Sequence, residues 1–82
     1  MNFYDSFREW TNVGHEIEFS YMGKEYSVTY YKREDGEYGI SFCEFYCEPT
    51  DFKNVEDFMA NAKIGNDHLS DIWEAVTDIS IF

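Results

Sequence analysis

Positive charge is scarce in this chain. Six Lys and Arg face 17 Asp and Glu over 82 residues, a formal net charge of −11 with both histidines neutral. Nucleic-acid backbones and anionic membranes attract clustered Lys/Arg, so the composition argues against direct binding to either. No run approaches the ~20 apolar residues that cross a bilayer. The apolar pattern of residues 1–13 is interrupted by Asp5, Arg8 and Glu9, unlike a signal peptide. Proline occurs once and cysteine twice. If Cys43 and Cys47 share a strand they lie roughly 13 Å apart at about 3.3 Å per residue, beyond the ~7 Å Cα limit of a disulfide. Free thiols and a cytoplasmic setting are expected.

Length sets a further bound. An 82-residue chain is expected to form one domain, residues 1–82, burying roughly 60% of its unfolded surface with a stability on the order of 4–12 kcal/mol. A deep substrate pocket would consume most of such a core, so a small-molecule substrate is not expected. Aromatics are abundant, at 8 Phe, 7 Tyr and 2 Trp. That load argues against an acidic disordered tail.

Spacing divides the chain. Phe3, Phe7 and Trp10, with Tyr4 alongside, form one helical stripe, and Asn2 and Gly14 are suited to its two ends. A helix is expected over residues 3–12. Ile17, Phe19 and Tyr21 then alternate with Glu16, Glu18 and Ser20. Beyond Gly23, Tyr26, Val28 and Tyr30 alternate with Ser27, Thr29 and Tyr31. After the turn at 34–37, Tyr38, Ile40 and Phe42 alternate with Gly39, Ser41 and Cys43. Period-2 patterning between glycine turns predicts a three-stranded antiparallel meander. One face is apolar, and the other carries Glu16, Glu18, Ser20, Glu25, Ser27, Thr29, Glu37 and Ser41, with Tyr31 intruding. The phase fails around Glu44-Phe45-Tyr46, where a bulge or strand end is expected.

Past Pro49, Asn54 caps a helix carrying Val55, Phe58, Met59 and Ala62. Residues 64–66 break it. Leu69, Ile72, Trp73 and Val76 then predict a last helix with Asp67 as its cap, and residues 79–82 form an apolar tail that packs or pairs with a sheet edge. The expected fold is α+β, two layers in the order α-β-β-β-α-α, with the helices on one face of the meander.

Catalytic chemistry finds little support in these residues. Nearly all acids lie at polar positions or in turns, away from the desolvation that raises a catalytic carboxyl. His15 and His68 are isolated, and Cys43 and Cys47 lack zinc-ligand spacing. No phosphate loop, nucleophile elbow or EF-hand ligand set is present. A non-enzyme without metal or cofactor is expected.

The acids themselves carry more information. Asp67, Asp71, Glu74 and Asp78 would form one stripe of a helix reaching residue 78, and that helix contains no Lys or Arg at i±4 to pair with them. Over about 16 Å these four carboxylates face a length that holds about five phosphates of one DNA strand. Glu34, Asp35 and Glu37 add a cluster at a hairpin tip. Each cluster alone also suits a solvated face, but the total exceeds the net charge of roughly 2–8 that solubility requires. Among the aromatics, Tyr31, Phe45, Tyr46 and Phe52 have no assured place inside, and exposed tyrosines beside acids suit protein interfaces.

The α-β-β-β-α-α order, short length and acidity resemble one class of phage-encoded anti-CRISPR proteins, which imitate DNA at the PAM-reading site of an RNA-guided nuclease. The resemblance is one of organisation, with no motif aligned. It implies a non-catalytic inhibitor whose partner is a protein with a basic, nucleic-acid-binding surface, in a bacterial cytoplasm or that of a phage host. Asp67, Asp71, Glu74, Asp78, Glu34, Asp35 and Glu37 are the candidate acidic contacts, and Tyr31 and Tyr46 the aromatic ones. The alternative is a small cytosolic adaptor or immunity-type protein that binds through aromatics and an edge strand, with its acidity serving only solubility.

Overall fold

A computed structural model describes residues 3–82, with side chains from residue 4 onward. The expected cap at Asn2 and the core position of the Phe3 side chain lie outside the described residues.

Helix α1 spans Phe3–Val13. It buries Tyr4, Phe7 and Thr11 along one stripe, and Thr11 Oγ1 donates back to Phe7 O at 2.7 Å, so its hydroxyl enters the core satisfied. Gly14, at φ +93°, ends the helix. The alternating segments then form β1 (Ile17–Tyr21), β2 (Lys24–Lys32) and β3 (Tyr38–Glu44), antiparallel neighbours in the expected order. Register places Ile17 opposite Val28 and Val28 opposite Phe42, so one apolar row crosses the sheet. β3 ends at Glu44, where the phase of the pattern was expected to fail. Tyr46 takes φ +67° in the turn that follows.

The sheet is wider than a meander. Thr50–Phe52 forms β4 against β3, and Thr77–Ile81 forms β7 against β1, giving the antiparallel order β4-β3-β2-β1-β7. Phe52 is buried by this pairing. Between these edges lie helix α2 (Val55–Asn61), a two-residue ladder of β5 (Lys63–Ile64) with β6 (Asp67–His68), and helix α3 (Leu69–Ile72) followed by a 3₁₀ turn over Trp73–Ala75. Asn54 caps α2 as expected, its Oδ1 accepting from Asp57 N at 2.8 Å.

The last helix of the sequence reading requires correction. Its apolar spacing was real, and Leu69 and Trp73 are buried. Even so, α3 holds only four residues and the chain is extended from Val76. Asp67 lies in the β5–β6 ladder, and His68 occupies the position before α3. Pairing with the β1 edge competes with helix extension. β1 would otherwise leave its outer N–H and C=O groups unpaired, and Ile79-Ser80-Ile81 has the alternation that satisfies them. The observed order is therefore α-β-β-β-β-α-β-β-α-β.

Helices and inner sheet face enclose one aromatic core. Phe7 is fully buried, stacked on Trp73 with ring centroids 4.1 Å apart and tilted against Phe58 at 5.6 Å. Phe19 stacks on Tyr26 and Phe42 at 5.7 and 6.0 Å. Tyr4 Oη donates to Met59 O at 2.9 Å and joins α1 to α2. Among the described residues, no helix is long and apolar enough to cross a membrane.

Candidate acidic interaction surface

The helices leave the other face of the sheet open, and strand parity decides what it carries. Glu18 lies opposite Ser27, Ser20 opposite Glu25, Ser41 opposite Asp51, and Glu18 again opposite Ser80. Glu16, Glu18, Glu25, Asp51 and Asp78 are all exposed. Two shallow depressions run along the β1–β7 side. One, of about 210 Å³, is bordered by Glu18, Glu25, Asp78 and Phe45; its neighbour, of about 440 Å³, by Gly14, Glu16, Glu18 and Phe82. Glu18 belongs to both, and no Lys, Arg or His lines either. The result is an acidic trough that the phenyl rings of Phe45 and Phe82 also border.

The trough's electrostatics are modest for the free protein. Successive residues on one strand face stand about 6.6 Å apart, and two carboxylates at that distance in water repel by about 0.6 kcal/mol. A fold stable by several kcal/mol can hold a few such pairs. Two ion pairs form among the described residues, Arg8–Glu56 and Arg33–Asp35. Both lie away from the trough.

The seven acids expected from sequence do not form one site. Asp67 pairs with Ile64 in the short ladder, Asp71 is on α3, Glu74 on the 3₁₀ turn, and Asp78 on β7 at φ +55°. The four-carboxylate helical stripe is absent because no helix connects them. Of the four, Asp78 alone borders the trough. It occupies the bulge where the β1–β7 register shifts, a left-handed position that Asp tolerates.

The hairpin acids divide in the same way. Asp35 is occupied within the turn: Oδ2 accepts from Arg33 Nη2 at 2.7 Å and Oδ1 from Glu37 N at 3.0 Å. Glu34 is exposed at the tip. Glu37, expected on the open face by parity, instead borders a cavity on the helical side of the sheet, because it lies in the turn before β3 and outside the strand's alternation. Glu16, Glu18 and Glu25 were assigned to the open face by parity but not singled out, and parity was the signal that located them.

Tyr31 and Tyr46 also differ. Tyr31 is half-buried over Gly39, where a Cβ would collide with its ring, and its hydroxyl donates to Phe52 O at 3.2 Å. Its visible task is to hold the β2–β3–β4 side together. Tyr46 is fully exposed, with the ring of Phe45 6.3 Å away.

Burial and local bonding account for the shifted titrations. Burial pushes Tyr4 and Tyr30 up to about 12, opposed at Tyr4 by Arg8 and reinforced at Tyr30 by the Glu16 charge. Tyr26 is raised chiefly by burial. Asp57 is lowered, first by the Lys53 backbone N–H that it accepts and then by the Asn61 side chain. Cys43 and Cys47 are free thiols. Among the described residues, no group of three or more His, Cys, Asp or Glu is placed to hold a metal ion. No family model, curated protein or solved structure matches the chain.

Proposed function

We propose that this chain is a non-catalytic interaction protein that binds a basic, nucleic-acid-binding surface of a protein partner, its carboxylates standing where phosphates would. The observation that carries this reading is the uncovered sheet face, where Glu16, Glu18, Glu25 and Asp78 border adjoining depressions that no cation lines. An Arg or Lys entering the trough would relieve the mutual repulsion of these acids and reach Phe45 or Phe82, rings on which a guanidinium can stack. A DNA strand carries one phosphate per ~3.4 Å of axis, so carboxylates at about 6.6 Å along β1 approximate every second phosphate. An inhibitory, anti-CRISPR-like role, for which the short length and acidity of the chain speak and its observed element order does not, is the specific form of the proposal, and a nuclease that reads duplex DNA its specific partner.

Affinity capture from a bacterial lysate at low and high salt tests it. Nucleic-acid-binding proteins should be retained at low salt, released at high salt, displaced by duplex DNA, and missed by a Glu16→Gln/Glu18→Gln/Glu25→Gln variant. Retention unaffected by salt and by the three neutralisations refutes the proposal. A second reading, an adaptor that binds through aromatics, draws on the full exposure of Tyr46 beside Phe45. In that case Tyr46→Ala abolishes capture at every salt concentration while the glutamine variant retains it.

A further inference from the structure

On the helical side of the sheet, one corner is left uncovered where α1 ends and α2 begins. A cavity of about 510 Å³ opens there, bordered by Thr11, Asn12, Val13 and Gly14 from the end of α1, Tyr30, Glu37, Tyr38 and Ile40 from the sheet, and Asn54 and Val55 from the start of α2. Its volume falls within the ~300–1,000 Å³ of ligand sites, and its make-up, an apolar lining with a few polar groups, is typical of them. Val13 and Tyr38, exposed at 67% and 65%, present apolar surface at its rim.

The lining's charge is of one sign. Glu37 is its only ionisable carboxyl and it contains no Lys, Arg or His. The carbonyl end of α1, a site of partial negative charge, borders the cavity and has no basic residue in its last turn. The opposing positive end of α2 is already offset by the Asn54 cap and by Glu56 and Asp57 in its first turn. Tyr30 enters as a neutral ring, its hydroxyl donating to His15 O. Register places Lys32 beside Tyr38, but Lys32 is exposed and does not line the cavity. Arg33 is engaged by Asp35 and Lys53 O.

A carboxylate, a helix carbonyl end and tyrosine rings around an apolar floor suit a cation with a flat, weakly hydrated head and an apolar stem. We propose that this cavity, which meets the acidic trough only at Gly14, is a second binding site, which takes an arginine side chain presented by the protein partner. Glu37 pairs with the guanidinium, Tyr38 stacks on it, and Val13, Ile40 and Val55 receive the methylene stem. The inference rests on the partner being basic, and it adds an anchor on the opposite face of the sheet.

The test uses Nα-acetyl-arginine amide as probe and its neutral isostere Nα-acetyl-citrulline amide as control, titrated into the isotope-labelled protein and followed by NMR. Arginine should shift the resonances of Val13, Tyr38, Ile40 and Val55 saturably, and citrulline should not. Glu37→Gln and Tyr38→Ala should each weaken binding by about 2–5-fold. Both positions are exposed, and the turn uses only the Glu37 backbone, so both variants should fold. Lys32→Ala should leave the affinity unchanged or tighten it. The Glu16→Gln/Glu18→Gln/Glu25→Gln variant should bind the probe like the parent, which separates this site from the trough. Equal response to arginine and citrulline, shifts confined to the trough, or unchanged affinity in both cavity variants would overturn the inference. Those results would leave the salt-sensitive capture intact. Conversely, capture that ignores salt while arginine binding survives would overturn the trough and leave the cavity as a ligand site.

Discussion

Tyr31 and Gly39 face each other across β2 and β3, and their coupling can be measured with a sign that few other models would produce. The ring of Tyr31 lies where a side chain on residue 39 would be. A fully buried Tyr covers 150–250 Å², so a half-buried one covers about 100 Å², worth about 2.5 kcal/mol at 25 cal/mol per Å². Its bond to Phe52 O adds about 1 kcal/mol. Tyr31→Ala should therefore cost about 2–3.5 kcal/mol, and Tyr31→Phe only about 0.5–1.5. Gly39→Ala forces the ring aside and should cost about 1–3 kcal/mol in the parent. Gly39 does not have a positive φ, so alanine fits its backbone once the ring is gone. In a Tyr31→Ala background the same change should stabilise by about 0.5–1 kcal/mol, because glycine in a strand is entropically costly. Urea unfolding followed by circular dichroism, in moderate salt to screen the charge, gives all four corners of the cycle. If Gly39→Ala is equally costly in both backgrounds to within ~0.5 kcal/mol, Tyr31 does not pack over Gly39, and its ring is available for a partner after all.

Phe7→Ala should cost about 3–5 kcal/mol, much of a total stability on the order of 4–12 kcal/mol, and leave the variant partly unfolded by thermal melting. Asp57 has a depressed folded-state pKa, so its contribution is present above the ordinary carboxylate range near 3.8 and lost as pH falls through the lower folded value. The stability difference between the parent and Asp57→Asn should shrink as urea midpoints are taken below pH 4, and a constant difference would contradict the assignment. Tyr4 and Tyr30, raised to about 12, favour their neutral forms. Their contribution is complete below pH 10 and lost between pH 10 and 12. Phenolate absorbance should therefore show late-titrating tyrosines, Tyr4 and Tyr30 among them, whose ionisation coincides with unfolding.

The meander was legible because three reinforcing signals agreed at Ile17-Phe19, Tyr26-Val28 and Ile40-Phe42: alternation, β-branched or aromatic residues, and a glycine turn between successive strands. β4 was not, since three residues after a proline are too few to show a period, and Phe52 looked homeless until β3 provided its partner. The failure at Leu69–Val76 is more instructive. Leu69, Ile72, Trp73 and Val76 fit a helical face, but a single helical turn and a 3₁₀ turn place Leu69 and Trp73 inside just as well. Periodicity reports which side chains face inward and not how many turns join them. Long-range pairing with β1 decided the matter, and a local pattern does not register a distant strand with an open edge. The candidate surface changed with it, since acids grouped by an assumed helix separated while Glu16, Glu18 and Glu25, grouped by strand parity, stayed together.

The pairing of β7 with β1 also orders assembly in time. The turns joining β1 to β2 and β2 to β3 are short, so the meander closes cheaply, whereas β7 must return across most of the chain. His15 Nδ1 and Phe82 O, 67 residues apart in sequence, end 2.8 Å apart. The entropy of closing that long loop is lost before any β7 contact repays it, and all five β7 residues are exposed, so little burial speeds the step. β7 should be the last strand to dock and the first to exchange its amide hydrogens. Until it docks, the β1 flank of the acidic trough lacks Asp78 and Ser80, so the surface offered to a basic partner is completed only at the final stage of folding.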